Sequence, residues 1–368
     1  MVDKEIQMVT FNNPYPPDFG GAIDLFYKIK SLSQLGVKIH LHIFYDQRSD
    51  ISGLEELCST ITLYKRKRWL IKHLSTIPFC VNTRYSKALV RNLNKSNAPI
   101  LFESLRTLRV LDKHEFNQKK AVRIHNIEHE YSWGLCKSER NWFKKLAFLL
   151  EGYKLKYYEP ILNKADILFT ISWHEHNYYN RHFKKESHFL PVFQGHSKLE
   201  GLNGFGKYAL FHGDLSVADN IKSAFFMVEV FKDLNEPLII ASSTIHQRLT
   251  DEINKYENIS FQLISDEKHL NELIKNAHIN TLYSFQRSGT KLKVFNALFK
   301  GRHCILNENM VDDIEVLKVC EVVENISDYR KVVKRLFEEE FFVTQERCNA
   351  LKTYDPKLNA ELLVKKLY

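Results

Sequence analysis

The segment 288–301 (SGTKLKVFNALFKG) carries the densest chemistry in the chain. It follows a strand-like run and then reads as helical, so Gly289 and Thr290 are expected at a helix start, where the first backbone N–H groups have no partner within the helix. Such amides attract phosphate. Lys291 and Lys293 fall in the expected first turn, with Arg287 just before it. Cations at a helix N-terminus oppose its dipole and cost stability unless an anion is bound, so the pattern points to a diphosphate ligand more than to a solvated face.

Two other segments hold candidates. In 14–21 (PYPPDFGG), Gly20 and Gly21 precede an amphipathic run; paired glycines let a backbone approach a ligand closely, although a tight turn without a ligand accounts for the same residues. In 123–131 (RIHNIEHEY), His125 ends a strand-like run, and Asn126, Glu128, His129 and Tyr131 crowd what reads as the following loop. Polar and aromatic groups clustered on a loop suit recognition of a ligand's hydroxyls; a loop bonded only to itself is the alternative. The chain has sixteen histidines, so it is position at a strand end, not residue type, that singles out His125.

The elements that must position these groups follow from periodicity. Glu5 to Phe11 alternates like a strand, Ala22 to Leu35 fits a helix that Gly36 ends, and Val37 to Phe44 alternates again. Further strand-like runs at Pro99 to Phe102, Ala121 to His125 and Asp166 to Ile171 are spaced for crossover helices, so the first half is expected to be an open parallel sheet. Between 191 and 207 the chain becomes glycine-rich and polar, and the alternation then restarts with strands expected at Tyr208 to His212, Leu238 to Ala241, Ile259 to Leu263, Ile279 to Tyr283, His303 to Leu306 and Glu321 to Val323. The expectation is an α/β protein with an N-terminal domain over 1–195, a C-terminal domain over 207–350 and a final helix in 351–368 that packs back on the first domain.

Composition narrows the class. With 368 residues, two domains of similar size are expected. Hydrophobic residues at 44% and charged residues at 26% match a folded globular chain and exclude a disordered one. No run reaches the roughly 18 apolar residues of a membrane span, and the N-terminal residues lack the pattern of a signal peptide, so a cytoplasmic protein is expected. Six scattered cysteines form no metal-like pair. A formal net charge of +9 favours anionic partners.

Four segments in register, 14–21, 123–131, 211–216 (FHGDLS) and 289–301, resemble GT-B glycosyltransferases of the family-4 type, across nearly the whole chain. The resemblance implies two Rossmann-like domains facing across a cleft, the first holding an acceptor and the second a nucleotide sugar. It implies a retaining hexosyl transfer, mannosyltransferase-like, without metal or other cofactor. It further implies that Gly20 and Gly21 border the donor phosphate and the acceptor, that His125 approaches the transferred sugar, that Gly213 offers amides to the diphosphate, and that Lys293 stabilises the leaving group. Asn126, Glu128, His129 and Tyr131 would meet the acceptor, and Arg287, Gly289, Thr290, Lys291 and Asn296 the donor.

The chain departs from that family in places. Asn296 stands where many relatives carry a ribose-binding Glu, and Asp214 and Asp219 stand near positions where relatives present cations to phosphate. A non-catalytic scaffold or binding protein of the same fold, or a nucleotide-sugar epimerase, are therefore alternative expectations. The run 142–150 (WFKKLAFLL) with Lys154 and Lys156, and the cluster 65–69 (KRKRW), combine aromatics with cations in a way that suits an anionic leaflet and a lipid-linked acceptor in surface polysaccharide assembly, or else a helix packed on its own domain. Any membrane contact would then be peripheral, on the inner face. No nucleic-acid module is present, and no nucleic-acid partner is expected.

Overall fold

A computed structural model describes residues 4–139, 141–200, 202–286 and 291–368. The chain divides into two compact units, one of Met1–Gly195 with Tyr354–Tyr368 and one of His196–Thr353.

The first unit is built on a seven-stranded sheet ordered β3-β2-β1-β4-β5-β6-β7, with every neighbouring pair parallel. Its strands are β1 (Glu5–Thr10), β2 (Lys38–Tyr45), β3 (Thr60–Lys65), β4 (Ile100–Glu103), β5 (Lys120–Ile124), β6 (Ile167–Thr170) and β7 (Ser187–Phe189). Parallel strands are covered on both faces and read as largely apolar runs; β4 (ILFE) and β6 (ILFT) are buried at every position. Strand order reverses between β1 and β4, the switch point at which the loops leaving two strands diverge and open a crevice at the carboxyl edge.

The helix Gly20–Gln34 follows β1 and lays Ala22, Leu25, Ile29 and Leu32 against the sheet. Gly36, with φ of 75°, ends it, and the Val37 N–H reaches back to the Leu32 carbonyl at 3.1 Å. The closing helix Pro356–Leu367 packs against this first helix, burying Ala360, Leu363, Val364 and Leu367 in the same core cluster as Ile29 and Leu32. Beyond it, the Tyr368 hydroxyl accepts from the Glu5 N–H at 2.9 Å.

The second unit repeats the scheme with six parallel strands ordered β10-β9-β8-β11-β12-β13. They are β8 (Ala209–His212), β9 (Leu238–Ser242), β10 (Ile259–Leu263), β11 (Ile279–Thr281), β12 (His303–Leu306) and β13 (Glu321–Val322). Its switch point lies between β8 and β11. On either side of it, the helix Ala218–Phe231 follows β8 and carries Asn220, and the helix Leu292–Lys300 follows β11 and carries Lys293.

Candidate functional site

At the switch point of the first unit, a buried ionic network joins the first helix to β4 and β5. The Lys28 Nζ donates to Glu103 Oε1 at 2.7 Å and to Asp24 Oδ2 at 3.3 Å. Arg123 grips Asp24 with both terminal nitrogens, one at 2.9 Å, and its Nη2 also donates to the Pro191 carbonyl at 2.8 Å. Asp24 takes the Phe193 N–H as well, at 2.8 Å. The remaining oxygen of Glu103 lies 2.8 Å from Nε2 of His125, so the network ends on that ring.

Two carboxylates and two cations are thereby balanced inside the fold. Burial opposes charge on Asp24 and Glu103, yet Arg123 and Lys28 hold Asp24 well below the usual carboxylate range, and Lys28 with the His125 hydrogen bond lowers Glu103. Burial and Arg123 lower Lys28 against the pull of its two carboxylates. The oxygens of Asp24 and Glu103 and a ring nitrogen of His125 lie within 4.8 Å of one another, a spacing that would suit a metal ion. Here Lys28 and Arg123 fill the cationic role.

His125 is 9% exposed and stands edge-on to Phe11, ring centroids 5.3 Å apart. Ser104, directly after Glu103, has φ of 70°, a backbone that costs a non-glycine residue on the order of 1–3 kcal/mol and that clusters at functional sites. Its hydroxyl donates to Glu128 Oε1 at 2.7 Å. Gly20 and Gly21 open the first helix, which has no side-chain N-cap and no acidic residue in its first turn. A Cβ on Gly21 would sit 3.2 Å from the Phe19 ring and 3.4 Å from the Phe11 ring, so the glycine keeps that helix end tight against Phe11.

The group expected on the loop after His125 is divided by the structure. Glu128–Ser138 is a helix, so Glu128, His129 and Tyr131 lie on its first turns, and Asn126 alone of the four remains on the connecting loop. The correction has a physical reason: two acids in the first turn, Glu128 and Glu130, favour a helix start there. Glu128 is buried and accepts from Arg106 Nε and Nη2 at 3.0 and 2.7 Å. His129 is buried between Trp133 and Tyr178. Asn126 and Tyr131 are half-buried.

In the second unit, Lys293, Asn220 and Gly213 converge beyond the end of β8. The Lys293 Nζ donates to Asn220 Oδ1 at 3.3 Å and lies 5.3 Å from the centre of the Phe211 ring. A Cβ on Gly213 would stand 3.0 Å from the Asn220 amide carbon, so a larger residue there would push the Asn220 side chain aside. Burial, and then the charge of Lys291, pull the Lys293 ammonium down to about 8, while Asp219 acts the other way. Burial and Lys293 together push His212 down to about 3.

The helix that carries Lys293 begins at Leu292, later than expected, with Lys291 as its N-cap residue in place of a first-turn residue. It has no side-chain cap and no acid in its first turn. Arg287, Gly289 and Thr290 lie outside the described residues. Asn296, one turn on from Lys293, accepts from His196 Nε2 at 2.8 Å. The two acids expected to repel phosphate have internal partners: Asp214 takes the Ser216 N–H at 2.9 Å and the Thr244 hydroxyl at 3.1 Å, and Asp219 takes the Ser284 hydroxyl at 2.7 Å and the Phe285 N–H at 3.0 Å.

No model of a known protein family matches the chain. Over 315 residues, 80% of this chain and 80% of the other, it is 24% identical to an uncharacterized 44.6 kDa protein in the cps region of Klebsiella pneumoniae. Its structure resembles that of a glycosyltransferase from Rickettsia africae ESF-5, with a TM-score of 0.68 at 13% identity over 100% of this chain and 98% of that one. It also resembles a trehalose-6-phosphate structure from E. coli bound with UDP-2-fluoro glucose (TM-score 0.60, 9% identity, 99% of both chains) and MurG of Acinetobacter baumannii (TM-score 0.53, 11% identity, 99% of both). The chain therefore has the GT-B fold of these glycosyltransferases, two α/β units each with a parallel sheet.

Proposed function

We propose that the protein is a glycosyltransferase that moves a hexose from a UDP- or GDP-sugar to a saccharide or lipid-linked acceptor, with retention at the anomeric carbon and without a metal or other cofactor. The observation that carries this reading is Lys293: a half-buried cation at a helix start, whose one hydrogen-bond partner among the described residues is a neutral amide 3.3 Å away. A site that holds an ammonium against its own desolvation is suited to a diphosphate, which would restore the missing counter-charge. Cleaving the sugar–phosphate bond drives negative charge onto that diphosphate, and a preorganised cation lowers the barrier by stabilising it.

In this reading Lys293 and Gly213 serve the leaving diphosphate, Arg287, Gly289, Thr290 and Lys291 are assigned to the donor by the sequence pattern, and Asn296 positioned by His196 serves the nucleotide. Gly20, Gly21 and His125 serve the sugar and acceptor, and the acceptor side includes Asn126 and Tyr131. Glu128 and His129, tied to internal partners, act there as positioning residues. The alternative of a non-catalytic scaffold or binding protein is weakened, because Asp214 is bonded to Ser216 and Thr244, and Asp219 to Ser284 and Phe285. The cps region of the Klebsiella relative supports capsular polysaccharide assembly as the process.

The lipid-linked acceptor is favoured by one surface of the first unit. Along the helix Trp142–Tyr158 only Gly152, Leu155 and Tyr158 are buried, while Trp142 and Phe143 are 62% and 65% exposed, among Leu146, Leu150, Lys144 and Lys145. The neighbouring segment leaves Trp69, Ile71 and Leu74 in solvent, and the Lys154 Nζ joins the two by donating to the His73 carbonyl at 2.7 Å. Exposed aromatic and aliphatic groups ringed by lysines suit an anionic leaflet, which makes the protein a peripheral one on the cytoplasmic side.

The test is turnover. The purified chain, given labelled UDP- and GDP-hexoses, should release or transfer the sugar, with nuclear magnetic resonance of the product reporting the anomeric configuration. Absence of turnover, together with no rise in thermal midpoint at millimolar UDP or GDP, would remove the reading.

A further inference from the structure

Three arginines of the first unit gather at the same carboxyl edge as His125. Arg66 follows β3, Arg84 follows the short helix Phe79–Asn82, and Arg106 follows β4. Phe11 joins them to the site: its carbonyl accepts from Arg84 Nε at 2.8 Å, its ring lies 5.9 Å from the Arg106 guanidinium, and its edge meets His125.

The cluster has too few counter-charges. Among the described residues, Arg106 has Glu128 within salt-bridge distance, but Arg84 has only the carbonyls of Phe11 and Cys80, and Arg66 a single long contact of 3.4 Å to the Thr83 hydroxyl. The Nε of Arg66 is buried without a partner. The acids nearby are otherwise engaged, Asp46 with Arg68 and Glu151 with the Cys80 N–H. Burial, then Arg66 and Arg106, pull Arg84 down to about 9, a cost that guanidinium groups seldom bear. Arg66 is likewise lowered, by burial foremost and against the pull of Asp46.

We propose that Arg66, Arg84 and Arg106 form a binding site for a phosphoryl group carried by the acceptor. This rests on the glycosyltransferase reading and adds the acceptor's chemical class to it. Guanidinium forks match phosphate oxygens two at a time, and a doubly charged group supplies the counter-charge that the protein leaves out. Two neutral carbonyls and a hydroxyl give a neutral saccharide no comparable reason for three cations. Because the Phe11 ring touches both Arg106 and His125, the anchored phosphoryl group would lie close to the sugar that it carries.

Phosphate binding is read on the full chain carrying Lys293→Met, so that the proposed donor site does not respond. Inorganic pyrophosphate, followed by phosphorus resonance broadening and thermal midpoint, is expected to bind this variant, and adding Arg66→Gln is expected to weaken it roughly ten- to hundredfold. Arg66 is the residue to change because its side chain supports little of the fold, whereas Arg84 ties two backbone carbonyls; an unchanged circular dichroism spectrum in the double variant confirms that the fold is kept. Undiminished binding after Arg66→Gln, or no binding to Lys293→Met at all, overturns the proposal.

Competition separates the sources. Displacement of pyrophosphate at lower concentration by a short prenyl-diphosphate hexose than by hexose 1-phosphate assigns a lipid-linked acceptor, and the reverse order assigns a soluble sugar phosphate. Displacement by neither overturns the acceptor assignment. The thermal response of the otherwise unaltered Arg66→Gln chain to UDP and GDP reports the donor reading separately: it persists if that reading holds, whatever happens to pyrophosphate.

Discussion

Nε2 of His125 lies 2.8 Å from Oε2 of Glu103, and this contact connects the carboxyl edge of the first sheet to the ion network beneath it. Glu103 orients the ring through one oxygen and neutralises Lys28 through the other, so one carboxylate serves both the site and the core. The geometry of His125 is therefore only as firm as the charge balance behind it.

Replacing Glu103 with Gln tests that dependence. The change leaves Lys28 and Arg123 sharing Asp24 alone, and removing one partner from a buried ion group costs about 3–5 kcal/mol. The thermal midpoint of the variant should fall by several degrees, and any transfer activity should fall further than stability alone explains. A variant as stable as the parent would show that the network contributes nothing.

The same network sets an acid limit. Asp24 and Glu103 have carboxyls held below their ordinary values, so the stability they contribute is fully present above the ordinary carboxylate range of about 4. It is lost as pH falls through their depressed folded-state values. Denaturant titrations at stepped pH should show this unit's stability dropping below pH of about 4, and Glu103→Gln should flatten that slope.

Lys293 predicts a second rise of stability with pH, in the alkaline range. Its ammonium is lowered from 10.5 to about 8, so between these values the unfolded chain binds more protons, and stability of the free protein rises with pH. Diphosphate binding should reverse the shift and draw a proton onto the lysine. Calorimetric titration with UDP or GDP near pH of about 8.5, in buffers of different ionisation enthalpy, should report proton uptake that Lys293→Met abolishes; equal heats in all buffers would rule out this role.

For the exposed helix Trp142–Tyr158, liposomes rich in anionic lipid should retain the protein at low salt and release it at high salt. The double change Trp142→Glu and Phe143→Glu should cut retention at least about tenfold without altering the thermal midpoint, since both side chains stand in solvent. Retention that ignores these residues and the lysines beside them would leave the leaflet without a contact surface.

Much of the fold was legible because strands write themselves as alternating or short apolar runs; β1 and β2 stood out by alternation, and β4, β5 and β6 and all six strands of the second unit as strand-like runs. The two that did not, β3 and β7, are the edges of the seven-stranded sheet. An edge strand has a neighbour on one side only, and in β3 Tyr64 is accordingly the one buried residue.

The candidate site was legible where chemistry is local and hidden where it is not. His125 and Lys293 stood out by their place at a strand end and a helix start. Lys28 looked like its neighbour Lys30, a solvent lysine; one is fully buried and the other exposed, and only helical phase with Asp24, Leu25 and Ile29 separates them. Its partner Glu103 is 75 residues away, and Arg123 is 99 residues from Asp24, separations that no motif spans. Glu128 and His129 read as acceptor-facing because the loop they were expected on is a helix whose inner side they occupy.

The closing helix Pro356–Leu367 supplies part of the core against which the first helix rests, although it is separated from that helix by the whole of the second unit. A chain cut after Thr353 would keep every residue of the second unit yet leave Ile29 and Leu32 of the first facing an open apolar seam, so damage at one end of the sequence is felt in the lobe that starts at the other.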